Sequence, residues 1–179
     1  CPPISIFSIN SSSLLFSSTA FLKGYKLTTI KSINLILQNR RPIIFGDGNQ
    51  VRSFSDIKDC IYCIDKLVRD KKIKSEIFNI GPDEEFISIN ELYQIISNKL
   101  NFNKEAKYYP DRPNEVKKAI CSSDKARNKL NYKTTVNLSN SIDGVISYIK
   151  KNKPKKFTYH KTLEILNEKT PKPWKDKLY

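Results

Sequence analysis

Two arginines, Arg52 and Arg112, are the residues of this chain whose type and setting best suit the binding of an anion. Arg52 follows a tight turn predicted at Gly46 and Gly48, and Arg112 lies beside Pro113 in a second polar stretch. The planar guanidinium group matches phosphate or carboxylate through parallel hydrogen bonds. The pattern therefore predicts an anion ligand. For Arg52, a surface arginine that serves only solubility is the alternative that this stretch leaves open.

Three other groups of reactive side chains have simpler structural interpretations. Cys60 and Cys63 form one CxxC, but a zinc site needs about four ligands and no second CxxC or histidine pair exists, which favours two buried helix cysteines. His160 is the only histidine and has no nucleophile signature near it. A solvated turn explains the acidic run 83–85 at least as well as a metal does. The sequence therefore predicts no metal site.

Short apolar strands and amphipathic helices alternate along the chain and predict an α/β fold. Ile43–Phe45 reads as the strand that leads into the glycine turn and a polar loop carrying Arg52. Asp56 is placed to cap the following helix, with Asp59 in its first turn. The predicted apolar face of that helix consists of Ile57, Ile61, Ile64, Leu67 and Val68.

Caps and helix stops mark the remaining elements. Ser88 and Glu91 have the spacing of a capping box, Asn137 can cap the last helix, and Asn131 tolerates the left-handed conformation in which helices stop. The pattern predicts, in order, a helix ending near Asn39, a buried strand at 77–80, a helix from Ser88, an edge strand at 107–109, and helices at 123–130 and 138–150.

The formal net charge of +14 is compatible with nucleic acid, a membrane surface or a phosphorylated small molecule. Most lysines are dispersed and no nucleic-acid recognition signature accompanies them, so we expect no specific nucleic-acid partner. No apolar run approaches the roughly 20 residues of a spanning helix, and serines interrupt residues 4–22. We therefore expect a cytoplasmic protein without a membrane partner.

An ordered set of motifs carries a resemblance to a known family. GDGNQVRSF is followed by a helix, FNIG, a capped helix, DRPNE and SSDKARNKLNY. This order resembles the C-terminal half of the NAD-dependent sugar-nucleotide epimerase/dehydratase family, of the extended short-chain dehydrogenase/reductase type, over residues 28–150. The resemblance implies the C-terminal substrate-binding part of a Rossmann-type epimerase/dehydratase fold, with mixed short strands and helices.

The resemblance also implies a role for three residues. Arg52 and Arg112 match family positions that clamp the diphosphate of a UDP- or dTDP-sugar, and Glu115 matches an acidic position that accepts ribose hydroxyls. The chain departs from the family at Ser53, where aspartate is usual, and at Asp56, where an aromatic residue is common. Asp56 either alters the pocket wall or serves as a helix cap, so the choice of nucleotide stays open.

The resemblance implies NAD as cofactor, but the family's glycine-rich NAD turn is absent from this chain, since Gly46 and Gly48 lack a third glycine at the required spacing. Tyr62 and Lys66 have the four-residue spacing of the family's catalytic pair. We interpret that spacing as a coincidence because it falls on the helix after the Arg52 loop. We therefore expect no catalytic or cofactor-binding residue here, and no activity from the isolated chain.

The expected organisation is an unassigned segment 1–26, for which a remnant of the N-terminal half is one interpretation, a sugar-nucleotide-binding C-terminal domain 27–151, and a basic irregular tail 152–179. The leading hypothesis is the substrate-binding half of an NAD-dependent sugar-nucleotide epimerase or dehydratase, homodimeric in its parent protein. The alternative is a non-catalytic basic binding module for nucleic acid or another anionic partner. Convergence of the two arginines on one pocket would favour the first.

Overall fold

The computed structural model describes residues 7–9, 29–73, 76–112 and 115–156, together with 168, 170 and 175. Helices and very short strands alternate, which confirms the α/β prediction. His160 lies outside the described residues, as does most of the predicted tail. The elements are β1 Phe7–Ile9, α1 29–37, β2 Ile43–Phe45, β3 Val51–Arg52, α2 Ile57–Arg69, β4 Glu76–Phe78, β5 Ile87–Ser88, α3 Ile89–Lys99, β6 Lys107–Tyr109, α4 Asp124–Leu130 and α5 Leu138–Asn152.

Strand pairing brings the two arginine-bearing segments together. β2 and β6 are parallel and in register from Ile43 opposite Lys107, and the Gly46 amide donates to the Tyr109 carbonyl at 2.8 Å. Because parallel neighbours end at the same edge, the segments that follow both strands leave the sheet side by side. β3 pairs antiparallel with β5 on one side, and Val51 bridges residues 117–119 on the other.

The described residues form two apolar cores. The first packs α1, α3 and α5 around β2, and the second packs α2 and α4 against β4. Helices α3 and α5 each bury one apolar stripe whose residues recur at helical spacing. The buried members of the first core include Ile33, Ile36, Ile44, Leu92, Ile96, Ile142, Ile146 and Ile149, and those of the second are Cys63, Leu67, Phe78, Ile80, Ala126, Leu130 and Tyr132.

The predicted apolar face of α2 is wrong in part. The helix buries Asp59, Cys63 and Leu67, whereas Ile61 and Val68 are exposed to 56% and 64%. Apolar residues occupy two sides of α2, so the spacing alone could not identify the side that packs on α4. The buried side is the one that carries the polar Asp59.

The strand predicted at 77–80 also differs from the structure. The observed strand is Glu76–Phe78, and it pairs antiparallel with β1. Phe78 is buried and Ile77 is 48% exposed, so this is a half-exposed strand rather than a fully buried one. The partner strand, β1, lies in the segment 1–26, which the sequence analysis left unassigned. Because the burial of a strand depends on its partner, the sequence could not predict how exposed this strand is.

The predicted caps and stops are confirmed. Asp56 accepts from the Lys58 amide at 2.9 Å, the Ser88–Glu91 capping box is complete, and Asn137 caps α5. Asn131 ends α4 in the left-handed conformation with φ 54°. Among the described residues, no helix combines the length and apolar character that crossing a membrane requires.

Candidate functional site

Arg52 is a buried residue at the end of β3, not a residue of a polar loop as the sequence predicted. Its side chain is only 4% exposed. Nη1 donates to the Val51 carbonyl at 2.8 Å, while Nη2 donates to Glu115 Oε1 at 2.9 Å and also to the Val116 carbonyl. A guanidinium enclosed in this way is held by backbone acceptors, so the solubility interpretation does not describe it.

Arg112 is the more accessible of the two arginines, with 46% of its side chain exposed. Its Nη2 lies 2.6 Å from Glu115 Oε2. The guanidinium carbon stands 5.0 Å from the centroid of the Phe45 ring, within the range of a cation–π contact. The ring at the end of β2 and the carboxylate therefore fix Arg112 from two directions.

Glu115 joins the two arginines. One carboxylate oxygen is bound by Arg52 and the other by Arg112, and the glutamate side chain is 11% exposed. Each of these bonds is assisted by charge, which makes it stronger than a neutral hydrogen bond. The structure thus brings together all three residues singled out in the sequence, and two positive charges share one negative group.

Sequence reasoning missed two further residues, Lys31, whose charge interacts with that of Arg112, and Gln50, which is bonded to the backbone of Phe45. Lys31 lies on α1, and burial together with the nearby charge of Arg112 lowers its pKa to about 8. Gln50 is buried, and its Nε2 donates to the Phe45 carbonyl at 2.9 Å, while its Oε1 has no hydrogen-bond partner among the described residues. No spacing in the sequence connects residue 31 with residue 112, so only the folded structure shows that the two charges interact.

Comparison with known proteins identifies the family. The family model described as GDP-mannose 4,6 dehydratase matches residues 10–145, which is most of the chain. The chain belongs to the GDP-mannose 4,6-dehydratase family. Its relatives are NAD-dependent sugar-nucleotide epimerases and dehydratases, which confirms the resemblance described above.

Individual relatives give the same result. A Methanocaldococcus jannaschii protein named "Putative UDP-glucose 4-epimerase" is 37% identical over 120 residues, covering 67% of this chain and 38% of that protein. The Bacillus cereus UDP-glucuronic acid 4-epimerase, solved with UDP-glucuronic acid and NAD, is 29% identical with a TM-score of 0.64, covering 70% of this chain and 40% of the enzyme.

A third relative is the Thermotoga maritima UDP-glucose 4-epimerase, solved with UDP-glucose. It is 25% identical with a TM-score of 0.61, covering 67% of this chain and 38% of that enzyme. The chain thus spans about 40% of the length of the relatives that it matches.

The two turn glycines, Gly46 and Gly48, lie against side chains of the protein. A Cβ added to Gly46 would stand 2.0 Å from Asp111 Oδ1, and one added to Gly48 would stand 1.9 Å from Asn90 Oδ1. Both glycines also have positive φ, 69° and 75°. They therefore make room for side chains of the protein itself.

The positions at which the chain departs from the family pattern have structural roles. Ser53 Oγ donates to the Pro82 carbonyl. Asp56 caps α2 and accepts from Ser141 Oγ at 2.7 Å, which ties α2 to α5. Of the two alternatives for Asp56, the structure shows the cap.

The remaining candidate groups have structural contacts rather than ligand geometry. Asp83 and Glu84 both bind Arg127, and the hydrogen bond from Arg127 lowers the pKa of Asp83. Burial raises the pKa of the Cys63 thiol to about 11, which disfavours the thiolate that a metal needs. In the part of the chain that the structure describes, no group of three metal-ligating side chains occurs.

Tyr62 and Lys66 lie on α2, where the Lys66 ammonium is 5.9 Å from the centroid of the Tyr62 ring. A cation–π contact between residues four apart on an exposed helix face accounts for this pair. That their spacing is a coincidence stays a prediction.

Proposed function

We propose that this chain forms the sugar-nucleotide-binding part of an NAD-dependent epimerase or dehydratase. In this proposal Arg52 and Arg112 bind the diphosphate of a UDP- or dTDP-sugar, and Glu115 accepts hydrogen bonds from the ribose hydroxyls. The observation that carries the proposal is the convergence of both guanidinium groups on one carboxylate, at 2.9 and 2.6 Å. Two guanidinium groups that converge on one carboxylate are also placed to bind an anionic group of a ligand, such as a phosphate.

The charge around the site supports the same ligand class. Two arginines face one glutamate, and Lys31 lies close enough to Arg112 for the charge of the arginine to lower its pKa. The cluster of two arginines, Lys31 and Glu115 therefore carries more positive than negative charge. An anion with more than one negative charge, such as a diphosphate, is the complement of that excess.

The catalytic step is not assigned to residues of this chain. Hydride transfer in the family requires NAD, and side chains of the protein itself occupy the space beside Gly46 and Gly48. What the described residues supply in this proposal is binding and orientation of the sugar nucleotide. A homodimeric parent protein is a further expectation of the same proposal.

A basic module that binds nucleic acid, the alternative function, would require a different arrangement of the arginines. Such a module would present its cations outward along a surface that follows a phosphate backbone. Arg52 is enclosed and faces Glu115, which is the opposite arrangement. The geometry therefore favours the sugar-nucleotide hypothesis.

A calorimetric titration of the full chain tests the proposal. UDP-glucose, UDP-galactose and dTDP-glucose would be titrated separately, with an unrelated oligonucleotide series at physiological salt as the comparison. We expect saturable binding of at least one sugar nucleotide and only weak, salt-sensitive binding of DNA. Absence of sugar-nucleotide binding together with a sequence-specific DNA complex would replace this proposal with the basic module.

A further inference from the structure

Three basic segments that are far apart in the sequence meet beside the end of α1. Residues 39–41 follow α1, residues 104–107 lead into β6, and residues 150–156 include the end of α5. We call the surface that these segments share the basic face. Because β2 and β6 run parallel, the segments that lead into them lie at the opposite end of the strand pair from Arg112, which follows β6. The basic face is therefore separate from the arginine site.

Hydrogen bonds hold the three segments together. Asn34 on α1 binds the backbone of Lys155 with two hydrogen bonds, of 2.7 and 3.0 Å. Lys104 Nζ donates to Asn39 Oδ1 at 2.8 Å. The guanidinium of Arg41 donates to the two backbone carbonyls that precede β6, at 2.6 and 3.0 Å. Cations that the sequence spreads over more than 100 positions are thus brought onto one surface.

The positive charge of the basic face is not neutralised by neighbouring acids. Its cationic members are all exposed: Arg40, Arg41, Lys104, Lys107, Lys150, Lys151, Lys153, Lys155 and Lys156. In the described part of the chain, no ion pair joins any of them to an acidic side chain, and Glu105 is the one acidic residue of the three segments. Lysines elsewhere on the surface are paired, as Lys99 is with Asp143. The face therefore attracts a polyanion.

An exposed aromatic ring lies next to these cations. Tyr148 is 68% exposed and stands one helical turn before Lys151 on α5. Aromatic rings beside basic side chains are typical of surfaces that bind single-stranded nucleic acid, because bases stack on the ring while the cations follow the phosphates.

A membrane surface fits the same face less well. Stable attachment to a bilayer takes an apolar anchor in addition to basic charge. Among the described residues, the large exposed aliphatic side chains lie elsewhere, at the start of α1, on α2, in β4 and at 116–120. The observations thus favour nucleic acid as the polyanion.

We propose that the basic face binds single-stranded nucleic acid without regard to its sequence, through phosphate contacts of its lysines and arginines and stacking of a base on Tyr148. This inference goes beyond the proposed function and does not rest on it, because the face and the arginine site lie at opposite ends of β2 and β6. The affinity comes from charge, so it falls steeply as salt is added.

Fluorescence anisotropy of a labelled oligothymidine, titrated with the full chain at several salt concentrations, provides the test. The face variant combines Lys153→Gln, Lys155→Gln and Lys156→Gln, and the contacts of Lys155 with α1 are made by its backbone, so they are kept. Each lost phosphate contact reduces the slope of log affinity against log salt by about 0.7. We expect the slope to fall by about 2 and the affinity at low salt by about tenfold or more.

The matched control combines Lys58→Gln, Lys71→Gln and Lys72→Gln. These lysines are exposed on and after α2, so the control loses the same net charge from another surface. It should keep the wild-type slope and affinity.

Tyr148 supplies a second, independent comparison. Tyr148→Ala removes the ring and should weaken oligothymidine binding by about fivefold or more, whereas Tyr148→Phe keeps a ring for stacking and should bind as the wild-type chain does. Circular dichroism establishes whether the face variant is folded, and if it is not, the two Tyr148 variants decide alone.

Three results would overturn the inference. Equal losses in the face variant and its control would show that net charge alone acts, and wild-type affinity in Tyr148→Ala would remove the stacking. Co-sedimentation of the wild-type chain with phosphatidylserine vesicles, without oligothymidine binding, would assign the face to a membrane surface. Titration of the same proteins with UDP-glucose keeps the two proposals apart, since its affinity should be the same in the wild-type chain and the face variant.

Discussion

Arg52 and Arg112 bind opposite oxygens of the same carboxylate, that of Glu115, at 2.9 and 2.6 Å. They come from segments that are 60 positions apart in the sequence, which follow the parallel neighbours β2 and β6. One arginine is enclosed and the other faces solvent. Arg52 holds the carboxylate of Glu115 in place, and that carboxylate holds Arg112 in place. The three side chains therefore form one unit.

Asp59 stabilises the fold by joining α2 to the segment before α5. It is buried and accepts from both the amide nitrogen and the hydroxyl of Thr135. Asp59→Ala leaves these donors unsatisfied and should lower the free energy of unfolding by about 2 kcal/mol. Asp65→Ala on the same helix removes only an exposed pair with Arg69 and should cost less than ~0.5 kcal/mol. Urea denaturation measures both, and equal losses would contradict this role.

The elements that the sequence predicted well are those determined by neighbouring residues. The Ser88–Glu91 box, the Asp56 cap and the Asn131 stop each depend on contacts within a few positions. The buried side of α2 could not be predicted in the same way, because it depends on where α4 packs. Likewise, the electrostatic interaction of Lys31 with Arg112 joins residues that are far apart in the sequence, so no local pattern could predict it.

Asn131 should respond to substitution according to its backbone conformation. Glycine adopts its φ of 54° without strain, whereas alanine in this conformation lowers stability by about 1 kcal/mol. We expect Asn131→Gly to match or exceed the wild-type stability, and Asn131→Ala to fall about 1 kcal/mol below it. Thermal and urea denaturation of both variants would check this order, and a more stable alanine variant would contradict it.

Lys31 should make stability depend on pH. Its pKa is about 8 in the folded chain, against the ordinary lysine value of 10.5 in the unfolded chain, so the unfolded chain binds more protons between these two pH values. Lys31 is therefore destabilising below pH 8, and its cost is relieved as pH rises from 8 towards 10.5. Solvent screens part of this cost because the side chain is only half-buried. We therefore expect the free energy of unfolding of Lys31→Met to exceed that of the wild-type chain by ~1 kcal/mol at pH 7.

The measurement for Lys31 is the difference in unfolding free energy between the variant and the wild-type chain, compared at pH 7 and pH 10. The difference should shrink at the higher pH. Lys58→Met, on the exposed face of α2, controls for the loss of one lysine. A difference that stays constant across this pH range would contradict the assigned environment of Lys31.

The isolated chain should not convert a sugar nucleotide, even with NAD added. The residues proposed for the site bind and orient a ligand, and none of them is assigned a hydride or proton transfer. Purified chain would be incubated with NAD and UDP-glucose or UDP-galactose, and products followed by chromatography. Turnover that is lost in Tyr62→Phe would return Tyr62 and Lys66 to consideration as a catalytic pair.

The affinity of Arg112→Ala for a sugar nucleotide tests the central claim most directly, because Arg112 is accessible and its loss leaves the buried Arg52–Glu115 pair in place. Calorimetric titration with UDP-glucose should show binding weakened by about 1.5 to 3 kcal/mol, with a comparable loss in Arg52→Ala where that variant is folded. Arg69→Ala, at an exposed ion pair on α2, should bind as the wild-type chain does. Unchanged affinity in both site variants, with measurable binding by the wild-type chain, would contradict the assignment of these arginines to the diphosphate.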